Sequence, residues 1–156
     1  MTCWVSDIVD NIYMNYWLVK SEPFKYSWDD LVKDGSTYWD GVRNYQARNN
    51  LKAMSKGDLV LYYHSNEGKE VVGIAKVTKE FYQDPTIDDD RWVVVDIEPV
   101  NKLNSSVTLA DIKGTKSLQK VGLINCKLAI LFFRHTSQSP FIHCLRLHRH
   151  LEVVRR

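Results

Sequence analysis

The chain has 156 residues, a formal net charge of +2, 44% hydrophobic residues and 26% charged residues. That describes one soluble globular unit, able to bury roughly two-thirds of its unfolded surface. No apolar run approaches the roughly 20 residues that a membrane span needs, and Cys3, Cys126 and Cys144 lie too far apart for a CxxC metal site or a disulfide framework.

In chain order, Met1–Tyr13 carries Asp7 and Asp10 with no basic leader, so it does not read as a signal peptide. Asn15–Val19 is an aromatic-aliphatic run that predicts a first strand, ended by Ser21-Glu22-Pro23. Ser27 and Asp30, just before Leu31 and Val32, form a capping-box pattern opening a short helix that Gly35 stops. A second helix is predicted over about Asn44–Met54, with Asn44 as N-cap and Ala47, Leu51 and Met54 on one apolar face. Strands follow at Asp58–His64 and Val71–Tyr82, joined by a hairpin loop at Asn66-Glu67-Gly68. After an acidic loop at Asp84–Asp90 comes a strand at Trp92–Pro99, with Trp92 read as core. Thr108 and Asp111 cap a short helix to Lys113, and Lys127–Phe133 is another strand candidate. Leu145, Leu147, Leu151 and Val153 alternate as a terminal strand would. Five or six strands with short helices between them predict an α+β unit, a small curled sheet or barrel.

Charge is uneven along the chain. Cys126 to the end holds six basic residues against Glu152 alone, leaving 15 basic and 18 acidic residues before it. The body is therefore no general polyanion surface, and nucleic-acid affinity would need a defined pocket beside any contact from the basic tail.

Catalytic patterns are thin. His64-Ser65 has no nucleophile elbow, and adjacent residues cannot face one another as nucleophile and base. The Asp84, Asp88, Asp89, Asp90 loop lacks the glycine and terminal glutamate of a calcium loop. His148 and His150 share a strand face without further metal ligands, and no phosphate-binding glycine motif is present. No cofactor is expected.

The densest signal is Trp39-Asp40-Gly41-Val42-Arg43-Asn44-Tyr45-Gln46-Ala47-Arg48-Asn49. It combines an exposed-looking aromatic, a turn glycine, a helix start with polar groups, and arginines suited to phosphate. Together with Tyr16-Trp17-Leu18-Val19-Lys20-Ser21-Glu22-Pro23, Tyr63-His64-Ser65 and Gly73-Ile74-Ala75, it resembles the EVE domain family. The resemblance runs from about Met14 to about Asn125. It implies a PUA-like fold similar to YTH and ASCH domains: a curled mixed sheet or small β-barrel of five to six strands flanked by short helices. It also implies non-enzymatic recognition of a modified base, such as a modified cytosine, in DNA or RNA.

Carried onto this chain, the resemblance implies a base pocket built from Trp39 and Asn44, with Ser21, Glu22, Tyr63, His64 and Ser65 beside them. Tyr82 and Asp84 match a Tyr-Pro-Asp loop in which Gln83 replaces the proline. Lys20, Arg43 and Arg48 would meet phosphate. On this reading Trp39→Ala abolishes base binding and leaves the fold intact. Residues 1–13 form an extension before the single domain at 14–156. The tail 126–156 departs from the family's acidic terminal helix, through divergence or a shifted reading frame. The alternatives are an enzyme acting on a nucleoside or RNA base with Asp40, Asp84 or His64 as acid-base groups, and a protein-interaction module without a nucleic-acid ligand. The expected location is the bacterial cytoplasm, or the nucleus in a eukaryote; no membrane partner is expected.

Overall fold

The computed structural model describes residues 15–116 and 130–133. Six strands form one mixed sheet: β1 (Tyr16–Ser21), β2 (Thr37–Tyr38), β3 (Leu59–His64), β4 (Glu70–Gln83), β5 (Val93–Thr108) and β6 (Ile130–Phe133). Three short helices accompany them: α1 (Trp28–Asp34), α2 (Tyr45–Ala53) and α3 (Leu109–Gly114). The order across the sheet is β2-β5-β4-β3-β1-β6, with β1 and β3 parallel and the other pairs antiparallel. Among the described residues β2 and β6 are the sheet's edges, so the sheet they form is open and not closed into a barrel.

Local chemistry explains where the elements begin. Ser27 Oγ accepts from the Asp30 amide while Asp30 accepts from the Ser27 amide, closing the capping box of α1. Thr108 and Asp111 repeat that exchange at α3. Asn44 Oδ1 accepts from the Ala47 amide at 3.0 Å and opens α2. Its apolar face buries Ala47 and Leu51.

β5 runs nine residues beyond the expected Pro99. The register of β4 against β5 shifts between Ile74 and Ala75, opposite Asn101 and Pro99, and a proline is tolerated at such an irregularity because one ladder bond is already missing. Further shifts along this pair bend the two long strands. Trp92 corrects the reading of it as core: it is half-buried just before β5 and stacks on Tyr45.

The core contains Trp17, Trp28, Leu31, Trp39, Leu51 and Tyr62. Tyr62 sits among edge-on rings, 5.5 Å from both Trp28 and Trp39. Gly73 lies beneath Trp28, where an added Cβ would come within 2.5 Å of the indole. Buried Asp58 ties the start of β3 to β1, accepting from Trp17 Nε1 at 2.8 Å and from the Asn15 and Ser55 amides. No helix among the described residues is long and apolar enough to cross a membrane. The expected extension at 1–13, the terminal strand at 145–153 and most of the tail lie outside the described residues.

Candidate nucleic-acid interface

The carboxyl ends of the parallel strands β1 and β3 stop side by side, with Ser21 paired to His64 and the Ser65 amide donating to the Ser21 carbonyl at 2.8 Å. The chain then turns through Glu22–Lys25. Ser21 Oγ and the Tyr62 hydroxyl both donate to the Tyr26 carbonyl, at 2.6 and 2.9 Å, which pins the turn to the sheet. Opposite it, β2 leads into Trp39-Asp40-Gly41-Val42, where the Trp39 amide donates to the Val95 carbonyl and Gly41 takes a φ of +72°. Glycine reaches that conformation without steric penalty.

Between these segments lies a cavity of about 690 Å³. One side carries Lys20, Ser21, Glu22, Lys25, Tyr26 and Ser65; the other carries Thr37, Tyr38, Trp39, Asp40, Gly41 and Val42. Its volume lies within the range of small-molecule sites. Glu22 pairs with Lys25 at 2.9 Å. The Tyr26 phenol is pushed up to about 12, by burial first and then by its bond to Asp34, so it stays a neutral donor. The indole of Trp39 is only 9% exposed, which corrects the expectation of an exposed aromatic. It packs edge-on against Tyr62 and offers the cavity a limited part of its surface.

Of the residues expected in the pocket, the structure brings together Trp39, Ser21, Glu22 and Ser65, and it adds Lys20, which was expected at phosphate. The others stand elsewhere. Tyr63 is buried and does not line the cavity, and its phenol is pushed up by burial. His64 lines a separate cavity of about 320 Å³ with Trp28, Glu70 and Lys102. Its Nε2 accepts from the Trp28 amide at 3.1 Å, and burial pushes its pKa below the usual value. In the same place Ser106 bonds Glu70, and the buried Trp28 indole N–H has no partner among the described residues.

Asn44 lies beyond the cavity wall, its carboxamide oxygen committed to the helix cap. The Tyr82 hydroxyl donates to Asp96 at 2.6 Å, and its phenol is pushed up to about 12 by burial and by Asp96. Asp84 is fully buried. Burial alone would raise its pKa, but Thr86 and the Arg43 guanidinium, 2.9 Å away, hold it below the usual carboxylate range. Neither Arg43 nor Arg48 lines the cavity: Arg43 precedes the Asn44 cap of α2 and donates to the carbonyl of Val42, a wall residue, and Arg48 lies within α2. Tyr26, Thr37 and Tyr38 line the cavity without having been expected there. A two-residue strand leaves no periodicity to read, and Tyr26 falls between the predicted first strand and the capping box at Ser27.

Residues 15–131 match the EVE domain family. The chain belongs to that family. This EVE domain is 38% identical to mouse thymocyte nuclear protein 1 over 146 residues, covering 77% of this chain and 65% of the relative. It thus spans just under two-thirds of that protein's length. The solved structure of Rpa0253 from Rhodopseudomonas palustris superposes with a TM-score of 0.81 at 40% identity, covering 92% of this chain and 99% of that one. Human THYN1, crystallised with DNA containing 5-methylcytosine, superposes with a TM-score of 0.76 at 31% identity, covering 86% and 97%. A yeast YTH domain shares the fold at 12% identity, with a TM-score of 0.55. The EVE domain is accordingly an α+β protein of the PUA-like type.

Proposed function

We propose that this EVE domain is a non-catalytic reader of a modified nucleic-acid base, with 5-methylcytosine in DNA as its first ligand to test. The observation that carries the reading is one cavity in which an indole meets the polar ends of two parallel strands, in a chain similar to human THYN1. Trp39 supplies the aromatic wall. Ser21, Glu22 and Ser65 supply groups for the base edge, and Lys20 supplies a cation at the mouth.

Magnitudes support a pocket of this kind. Extruding a base from a duplex costs a few kcal/mol, and stacking on an aromatic returns about 1–3 kcal/mol. A methyl group adds only about 0.8 kcal/mol of burial, so discrimination must come from close fit. Asn44, Tyr63, His64, Tyr82 and Asp84 act through the scaffold: a helix cap, a core ring, a strap to α1, a strand brace and a buried counter-ion for Arg43. The acid-base groups of the enzyme alternative do not converge, because Asp40, Asp84 and His64 line three different hollows. In a eukaryotic cell this activity belongs in the nucleus.

The test is a titration of the full chain with short oligonucleotides carrying one cytosine or one 5-methylcytosine, followed by tryptophan fluorescence. Tighter binding of the methylated strand that persists at raised salt is expected. Equal affinity for the two strands rejects the reading, because phosphate contacts alone are blind to the methyl group.

A further inference from the structure

Beside the cavity, on its Val42 side, four side chains form a continuous stack. The Arg48 guanidinium lies 4.9 Å from the centre of the Tyr45 ring. Tyr45 stacks on Trp92 with centroids 5.3 Å apart and planes 29° from parallel. The Arg43 guanidinium lies 5.7 Å from the centre of Trp92. Tyr45 is 55% exposed, so the stack faces solvent.

Packing explains part of this arrangement but not its charge. Arg43 is locked by buried Asp84 and by the Val42 carbonyl, at 2.9 and 3.0 Å, and Val42 itself lines the cavity. Arg91 is held in a fork by Asp89. Arg48 has no carboxylate partner among the described residues: it donates to the Asn49 side chain and the Arg91 carbonyl. The first turn of α2 also lacks an acidic residue, so the positive end of that nine-residue helix is not offset by its own side chains. A guanidinium over a ring that is neutralised by no carboxylate keeps its charge for phosphate oxygens, which Arg48 would meet by exchanging its contacts to Asn49 and the Arg91 carbonyl.

We infer that the Arg48–Tyr45–Trp92–Arg43 stack is the wall that binds the phosphodiester strand flanking the base held in the cavity. The inference rests on the base-recognition reading above for its register, but it makes a separate demand. Arg48 is the group that meets phosphate, Tyr45 and Trp92 hold it rigid, and Arg43 joins the wall to the cavity. Phosphate contacts position a strand without reading it, so the wall should act equally on modified and unmodified sequences.

The test uses the full chain, Arg48→Gln and Tyr45→Leu, with methylated and unmethylated strands as DNA and as RNA, and with free 5-methyl-2′-deoxycytidine. Arg48→Gln should weaken both strands by roughly five-fold and reduce the slope of log affinity against log salt by about one. The ratio between methylated and unmethylated strands, and the affinity for the free nucleoside, should not change. Tyr45→Leu should weaken both strands with a smaller change in slope. Wild-type affinity and slope in both variants, each with a wild-type melting temperature, overturn the wall. A methylation ratio of one in the unsubstituted protein overturns the base reading instead, and a slope lowered by Arg48→Gln then still supports the wall. A loss confined to DNA or to RNA identifies the strand that the wall holds.

Discussion

Trp39 is both a core ring and a cavity wall, and the two duties set what its substitution can reveal. Because the indole packs on Tyr62 and is nearly buried, Trp39→Ala should destabilise the fold by about 3–5 kcal/mol through lost burial and the cavity left behind. The expectation of an intact fold is therefore revised. Trp39→Phe keeps an aromatic ring at smaller cost and should weaken oligonucleotide binding several-fold while the protein stays folded. Urea denaturation and titration together check both points; a folded Trp39→Ala protein that binds like wild type rejects the aromatic wall. Gly73 does not line the cavity and offers a test of packing. Its Cβ would strike Trp28 at 2.5 Å, so Gly73→Ala should destabilise by roughly 1–3 kcal/mol and lower the thermal midpoint.

At the level of elements, Asn44 separates capping from recognition. Its carboxamide oxygen caps α2, and aspartate caps a helix about as well while lacking the amide donor. Asn44→Asp should therefore keep wild-type stability, whereas Asn44→Ala should lose about 1 kcal/mol. If Asn44→Asp nevertheless loses discrimination of 5-methylcytosine in titration, the residue touches the base, and its role as scaffold alone is wrong. The same contrast shows what the sequence made legible. The caps at Ser27, Asn44 and Thr108 could be read because each depends on residues three apart in the chain. β5 could not be read past Pro99, because the irregularity that accepts the proline is created by its partner β4. Trp92 was misread for a similar reason: its half-buried place depends on Tyr45, which is brought to it by the fold. In the cavity, Ser21 and Ser65 meet through the parallel pairing of β1 and β3, a long-range event that only the family resemblance anticipated.

For the molecule as a whole, His64 makes stability depend on pH. Its Nε2 must be unprotonated to accept from the Trp28 amide, and that bond fastens α1 to the end of β3. Desolvation lowers its pKa below the ordinary value near 6.5. Glu70 and Asp29 oppose the shift, while Lys102 adds to it. The unfolded chain therefore binds the histidine proton more readily than the folded one. Stability from this group is present above about pH 6.5 and is lost as the pH falls through the lowered folded value. Four other histidines lie at positions 135–150, so the wild-type pH dependence alone does not isolate His64. The difference between wild type and His64→Gln does, because glutamine can accept the same hydrogen bond through its side-chain oxygen and does not titrate. Thermal midpoints measured from about pH 7.5 down to about pH 5 should fall more steeply for wild type than for His64→Gln. That window stays above the range in which Asp84 and Asp89, both held below the usual carboxylate values, would add acid losses of their own. Parallel curves for the two proteins would mean that protonated His64 is accommodated, and that the strap to α1 contributes nothing that depends on pH.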